Sequence, residues 1–134
     1  EKDVNKKEKK TVVAKGKDLS ISTKHSIAIC KFLKNKKLED AIKLMNEVIA
    51  LKKAVPTKKE AHKKGMASGK FPLKATKAFL KILKNVKSNA NSKGMDISKL
   101  IIKAKANKAS RPLKPGRFRR QFKRTHIEIV GMMK

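Results

Sequence analysis

Hydrophobic and polar positions change their period several times along the chain, and each change predicts a new element. Near the N-terminus, Leu19 and Ile21 alternate with polar neighbours, which predicts a short strand over Lys17–Ser22. Ser22 or Thr23 then suits the N-cap of a first helix. This helix has an apolar cluster broad enough for packing on two sides: Ile27, Ala28, Ile29, Cys30, Phe32 and Leu33.

The second predicted helix has the most regular apolar stripe, with spacings of three and four residues. Its members are Leu38, Ala41, Ile42, Met45, Val48 and Ile49. Pro56 predicts the end of this helix beyond Val55. Because only a few residues around Asn35–Lys37 join the two helices, the sequence predicts that they pack as an antiparallel hairpin.

A loop rich in proline, glycine and lysine follows over Pro56–Pro72, and a third helix is predicted from Leu73 to about Lys93. Gly94 is placed to cap its C-terminus. One face of this helix is predicted to be buried: Ala75, Phe79, Ile82, Leu83, Val86 and Ala90. The other side repeats lysine over about four turns: Lys74, Lys77, Lys81, Lys84 and Lys87.

Alternation returns in two late segments, LIIKAKANK (Leu100–Lys108) and THIEIV (Thr125–Val130), which predict two paired strands. The order of strand, three helices and hairpin predicts an α+β fold. A small antiparallel three-stranded sheet packs against three helices, and a long β-hairpin protrudes over residues 100–130. We expect one domain over residues 17–134, preceded by a basic arm over residues 1–16 that is disordered in the free protein.

The charge of the chain restricts its partners. Lysine and arginine number 38 against 10 acids, which gives a formal net charge of +28. Such an imbalance opposes compaction and indicates a polyanionic partner. Nucleic acid is favoured over an anionic membrane, because the basic residues extend along the whole chain rather than one amphipathic helix. Cys30 is the only cysteine, which suits a reducing compartment, and no apolar run is long enough to span a bilayer.

Two basic segments are predicted to bind RNA. The third helix has no acid from Lys74 to Lys93, so its lysines repel each other unless phosphates neutralise them. The segment RPLKPGRFRRQFKR between the late strands is rich in arginine, whose planar fork grips phosphate and stacks on bases. The predicted RNA contacts are Lys74, Lys77, Lys81, Lys84, Lys103, Lys105, Lys108, Arg111, Lys114, Arg117, Arg119, Arg120, Lys123 and Arg124. Phe118 and Phe122 either stack on unpaired bases or pack back onto the hairpin.

Enzymatic chemistry finds little support in the sequence. The three histidines, His25, His62 and His126, are far apart. His25 and Cys30 are five residues apart, so on a helix they point to different sides and form a poor metal site. The acids include no plausible general acid and base pair. We therefore predict no catalytic residues, no metal and no cofactor.

These motifs, in this order, resemble a known family. STKHS opens the first helix, VP (Val55 and Pro56) follows the second, GKFP leads into the third, SNANSKG closes it, and PGR lies between the late strands. From about Lys17 to Met133 the chain resembles the twenty-second protein of the large ribosomal subunit, whose eukaryotic counterpart is numbered seventeen. The Pro56–Pro72 loop resembles the archaeal and eukaryotic form.

The resemblance implies a structural protein that binds large-subunit rRNA and contacts neighbouring ribosomal proteins in the cytoplasmic ribosome. It implies a hairpin with arms over Leu100–Lys108 and Arg119–Val130 and a tip around Ala109–Phe118, which helps to line the polypeptide exit tunnel. The tip residues expected near the tunnel, and near the nascent polypeptide, are Arg111, Pro112, Leu113, Lys114, Pro115, Gly116 and Arg117. No membrane association and no homo-oligomer are expected.

A basic architectural DNA-binding protein is the alternative from another class. It predicts a dimer with elements that read a groove. The sequence contains no heptads, and no helix carries Asn, Gln or Arg placed for base edges, so the RNA-binding interpretation is favoured.

Overall fold

The computed structural model describes residues 11–57, 69–116 and 119–133. The elements in chain order are β1 (Thr11–Leu19), α1 (Thr23–Leu33), α2 (Leu38–Ile49), β2 (Val55–Pro56), β3 (Gly69–Lys70), α3 (Leu73–Ser92), a 3-10 turn (Ile97–Lys99), β4 (Leu100–Lys108) and β5 (Thr125–Met133). This order confirms the predicted α+β fold.

The main sheet is antiparallel and has the strand order β1-β5-β4. β5 is central because it pairs with β4 from Leu100↔Met133 to Lys108↔Thr125 and with β1 from Thr11↔Met132. Alternate residues of β5 from Thr125 to Gly131 are buried, so one face of the sheet is covered and the other is open. β2 and β3 form a separate two-stranded ribbon.

Helices cover one face of the sheet and enclose the core. α1 packs against β4, α3 packs against β1 and β5, and α2 packs mainly on α3. The predicted face of α3 is buried as expected, and Thr76 joins it. In the α2 stripe, Leu38, Ala41, Met45 and Val48 are fully buried, while Ile42 and Ile49 lie at its margin. None of the described helices is long and apolar enough to cross a membrane.

The C-terminus of α3 is closed by the glycine that the sequence places there. Gly94 has φ +65°, a left-handed conformation that side chains with a Cβ resist. Its N–H donates to the carbonyl of Asn91 over 3.1 Å, and the N–H of Met95 donates to the carbonyl of Ala90 over 3.0 Å. These two bonds form a Schellman cap, and the predicted capping role of Gly94 is confirmed.

One outer edge of the sheet, that of β4, is covered. The link between α1 and α2 lies along β4, since the N–H of Asn35 donates to the carbonyl of Ile102 over 3.2 Å and Ile102 donates back to Lys36 over 3.0 Å. This pairing sends α2 towards α3. The predicted antiparallel hairpin of α1 and α2 is therefore wrong in its packing, because the link bonds to the sheet instead of forming a tight turn.

Three element boundaries differ from the predictions. β1 begins at Thr11, not at Lys17, so residues 11–16 belong to the sheet although the sequence assigns them to the arm. α2 ends at Ile49 rather than beyond Val55, since Leu51 adopts φ 59° and breaks the helical path. The second arm of the hairpin is regular only from Thr125 and not from Arg119, and it continues to Met133.

Candidate nucleic-acid interface

The lysines of α3 form an exposed basic face on the side of the helix away from the core. All five, Lys74, Lys77, Lys81, Lys84 and Lys87, are exposed, and none forms an ion pair with another described residue. At about 1.5 Å of rise per residue, the row is about 20 Å long. Asn85 and Ser88 lie on the same side and are exposed. We call these seven residues the α3 lysine face; it offers ammonium groups to a polyanion along four turns.

The open face of the sheet forms a second basic surface. Lys103 and Lys105 project from β4 and are exposed. Glu128 of β5 lies directly between Lys105 on one side and Lys15 of β1 on the other, at the spacing where opposite charges on neighbouring strands attract. The sequence pattern does not indicate Lys15 as a site residue, because it places residues 1–16 in the arm; the alternation of Val12 and Ala14 is the available signal.

The residues between the late strands, 109–124, are named here the hairpin loop. Among the described residues of this loop, three backbone bonds join its two sides: the N–H of Ala109 donates to the carbonyl of Arg124, that of Phe122 to Pro112, and that of Lys114 to Arg120. An isolated bridge between Leu113 and Gln121 lies among them. The pairing is irregular because prolines at 112 and 115 lack an N–H. The described parts of the loop, 109–116 and 119–124, are therefore a loosely paired continuation of β4 and β5.

The predicted loop contacts differ in their exposure. Most are exposed to solvent: Lys108, Pro112, Leu113, Lys114, Pro115, Gly116, Arg119, Arg120 and Lys123. Leu113 is 71% exposed, the highest value among the large apolar side chains of the described residues. Arg111 and Arg124 are half-buried. Arg117 and Phe118 lie outside the described residues.

Phe122 contacts two cations of the loop. The Lys114 ammonium lies 5.6 Å from its ring centroid and the Arg124 guanidinium 5.3 Å away, within the range of cation–π attraction. The ring therefore packs back onto the hairpin, which is one of the two roles considered for it. The residue is still 37% exposed, so part of it is accessible to a partner.

One histidine, His25, lies near the start of α1. Burial lowers the pKa of His25, and the charges of Lys70 in β3 and Lys123 in the hairpin loop lower it further. Near neutral pH this imidazole is neutral. Burial raises the pKa of the Cys30 thiol to about 12, as expected for a small buried apolar residue. Within the described ranges, no group of His, Cys, Asp and Glu is arranged to hold a metal ion.

A sheet covered on one face, two exposed basic surfaces and a basic loop give an α+β protein with the charge distribution typical of the nucleic-acid-binding class. Within that class, the family described as Ribosomal protein L22p/L17e matches residues 14–130. The chain belongs to this family. Membership confirms the resemblance seen in the motifs, and it confirms that the chain is a structural ribosomal protein and not an enzyme.

Three curated relatives, each named large ribosomal subunit protein uL22, are similar over much of the chain. The protein of Methanoregula boonei is 41% identical over 135 residues, 88% of each chain. That of Methanocaldococcus jannaschii is 38% identical over 90% of this chain and 86% of its own. That of Archaeoglobus fulgidus is 40% identical over 102 residues, 71% of this chain and 66% of the relative.

Proposed function

We propose that the chain is a structural constituent of the large ribosomal subunit in the cytoplasmic ribosome. It binds rRNA through the α3 lysine face, the open face of the sheet and the hairpin loop. Several RNA segments are thereby held against one small body. The relatives named as large-subunit proteins support this proposal.

The observation that carries the proposal is the uneven distribution of acids. Half of the six acids in the described ranges lie on α2, namely Glu39, Asp40 and Glu47, whereas the others are Asp18, Asp96 and Glu128. Neither the α3 lysine face nor the hairpin loop contains an acid. Uncompensated cations on these two surfaces repel each other in the free protein, and rRNA phosphates remove that repulsion. The mixed charge of α2 suits water or a neighbouring ribosomal protein.

The binding mechanism is a large number of phosphate contacts. Each lysine or arginine that neutralises a phosphate releases condensed counterions, so the affinity falls steeply with salt. Arginines dominate the hairpin loop and add bidentate contacts and stacking. Affinity thus arises from many exposed groups, without a catalytic step.

The tip of the hairpin loop is proposed to help line the exit tunnel and to contact the nascent polypeptide. The proposal follows from the family resemblance, and the exposure of Leu113 and its proline neighbours supports it, because these side chains have no role in the core. Apolar and proline side chains also suit a tunnel wall better than phosphate contacts.

The test replaces Arg117, Arg119 and Arg120 with alanine. We expect the variant to keep its helical circular dichroism and its melting temperature, while its incorporation into large subunits, measured by sedimentation and immunoblotting, falls. A matched control replaces Lys34, Lys37 and Lys43, which lie around α2 and are exposed, with alanine. Equal incorporation of wild type and arginine variant would refute the role of the loop.

A further inference from the structure

A chain of hydrogen bonds joins the base of the hairpin loop to the start of α1. The hydroxyl of Thr125 donates to the carbonyl of Ile21 over 2.9 Å. The hydroxyls of Thr23 and Thr125 are 2.9 Å apart, and the Arg111 Nη2 lies 3.4 Å from the Thr23 hydroxyl. These groups are 88 to 104 positions apart in the sequence, so only the fold brings them together.

The direction of every bond in this chain is determined. A threonine hydroxyl has one proton to donate, and it accepts through its lone pairs. Since Thr125 uses its proton on the Ile21 carbonyl, Thr23 must donate to Thr125. Thr23 has then used its own proton and accepts from Arg111, which can only donate. The chain therefore runs from Arg111 to Thr23, Thr125 and Ile21 without a conflict.

Because this series of hydrogen bonds is largely buried, the bond between Thr23 and Thr125 contributes most to holding the loop. Thr125 is fully buried and Thr23 is partly buried, so hydroxyls without partners there would be costly. The outer bond from Arg111 is longer than the two inner ones. Thr23 is thus the residue that connects the loop side to the sheet side.

A second contact ties the other side of the hairpin loop to the same segment. Arg124 Nη1 donates to the Ser20 hydroxyl over 3.1 Å. Arg111 lies on the first side of the loop and reaches Thr23, the first residue of α1. Arg124 lies on the second side and reaches Ser20, in the link between β1 and α1. The two sides of the loop are therefore both anchored to the segment from Ser20 to Thr23.

Arg111 differs from the other loop arginines in its surroundings. It is half-buried, and its Nε is inaccessible and has no hydrogen-bond partner. Arg119 and Arg120, in contrast, are exposed. A guanidinium that points into the body and bonds to Thr23 is poorly placed as a primary phosphate contact.

We infer that Thr23 is a positioning residue, which through Thr125 and Arg111 sets the direction in which the hairpin loop leaves the body. These three residues are named here the threonine latch. The purpose of the latch rests on the proposed function, because it places a highly charged loop before RNA surrounds it. Arg111, which the sequence predicts as an RNA contact, is reassigned to this latch.

The first test uses the free protein and needs no RNA. Thr23→Val removes the central hydroxyl with little change in size, and Thr23→Ser keeps it. The reporter is hydrogen exchange at the Ala109 amide, which bonds across the loop to Arg124, with the Ile102 amide in the sheet as reference. We expect exchange at Ala109 to be roughly five- to tenfold faster in Thr23→Val, which is the effect of losing one such bond, and unchanged in Thr23→Ser.

A general loss of stability would accelerate Ile102 as well as Ala109, and this outcome would overturn the inference. The same holds if Ala109 exchanges at the wild-type rate in Thr23→Val, or equally fast in the serine variant. Arg111→Lys serves as a second variant, since it keeps the positive charge but removes the guanidinium group that bonds to Thr23. It should accelerate Ala109, whereas Arg119→Lys should not.

The second test reads the direction of the loop on RNA. An iron chelate attached to Leu113→Cys cleaves nearby RNA, and Cys30 is buried and does not compete. With large-subunit rRNA bound, Thr23→Val should spread the cleavage over more positions, while its affinity stays within about twofold, since no exposed cation is lost. An unchanged cleavage pattern would overturn the positioning role. If the parent protein fails to bind this rRNA, the proposed function fails, and hydrogen exchange still decides the latch.

Discussion

The side-chain amide of Asn89 in α3 donates a hydrogen bond to the backbone carbonyl of Val13 in β1 over 3.2 Å. Nearby, the Lys93 ammonium donates to the carbonyl of Thr11 over 3.1 Å. The end of α3 therefore occupies acceptors along the outer edge of β1, which would otherwise be open to pairing with another chain. The same helix holds the sheet with one side and presents the α3 lysine face with the other.

Replacement of Asn89 by alanine should loosen β1. We expect a loss of about 1 kcal/mol in the free energy of unfolding, because the Val13 carbonyl loses its side-chain partner, and faster hydrogen exchange in β1. Asn85→Ala is the matched control, since it makes the same change on the exposed side of α3. If both variants unfold at the same urea concentration, the bond to Val13 contributes nothing.

Removing charge from the α3 lysine face should weaken RNA binding but stabilise the free protein. In the triple variant Lys77→Gln, Lys81→Gln and Lys84→Gln, the slope of log affinity for rRNA against log salt should decrease by roughly two. The free energy of unfolding should rise by a few tenths of a kcal/mol, as like charges on adjacent turns are removed. Filter binding over a salt series and urea titration measure the two quantities.

The control for this variant carries the same loss of charge elsewhere. Glutamine at positions 34, 37 and 43 removes three exposed lysines around α2, and the salt slope should change little. Equal losses of slope in the two triple variants would mean that the charge acts without a defined face, and would argue against α3 as an interface.

Substitutions of Gly94, in the cap at the end of α3, should change stability through backbone strain alone. A Cβ added at Gly94 would meet no atom within 4 Å, so Gly94→Ala should cost only the strain of φ +65°, about 1 kcal/mol. Gly94→Asn should cost less, because asparagine adopts this conformation more readily. Thermal melting of the three proteins tests this order, and equal melting temperatures would contradict the left-handed cap.

Cys30 gives the stability a dependence on alkaline pH. Burial raises the pKa of its thiol from the ordinary value of 9.0 to about 12. Between these values the folded protein keeps a proton that the unfolded chain releases, so the contribution of Cys30 to stability is complete below pH 9 and is lost as the pH rises towards 12. Because lysines titrate in the same range, the slope should be compared with that of Cys30→Ala. The alanine variant should lose stability less steeply, and parallel slopes would contradict the burial of the thiol.

The helices were predictable because each buries a continuous face. The apolar spacings that end at Val48 and Ala90 follow the helical period closely, and both residues are fully buried. The pattern places the start of β1 too late, since only Val12 and Ala14 mark its buried face within a lysine-rich stretch. β1 forms a strand because β5 offers a partner edge, and that edge is distant in the sequence.

The sequence predicts which basic residues belong to the candidate interface, but not which of them are exposed and which bond to the body. The lysines of α3 lie where the helical period places them, all exposed. Arg111 and Arg119 are alike in the sequence, and only the fold separates them by bringing Thr23 next to Arg111. Local pattern cannot show such a contact, because it depends on how β4, β5 and α1 pack together.

The most direct test of the account is ultraviolet crosslinking of the protein in cells, with sequencing of the attached nucleic acid and mass spectrometry of the crosslinked peptides. We predict a few discrete sites in large-subunit rRNA, attached to peptides from the α3 lysine face and the hairpin loop. Crosslinks spread over messenger RNA or found mainly on DNA, or attached chiefly to α2, would contradict the proposed interface.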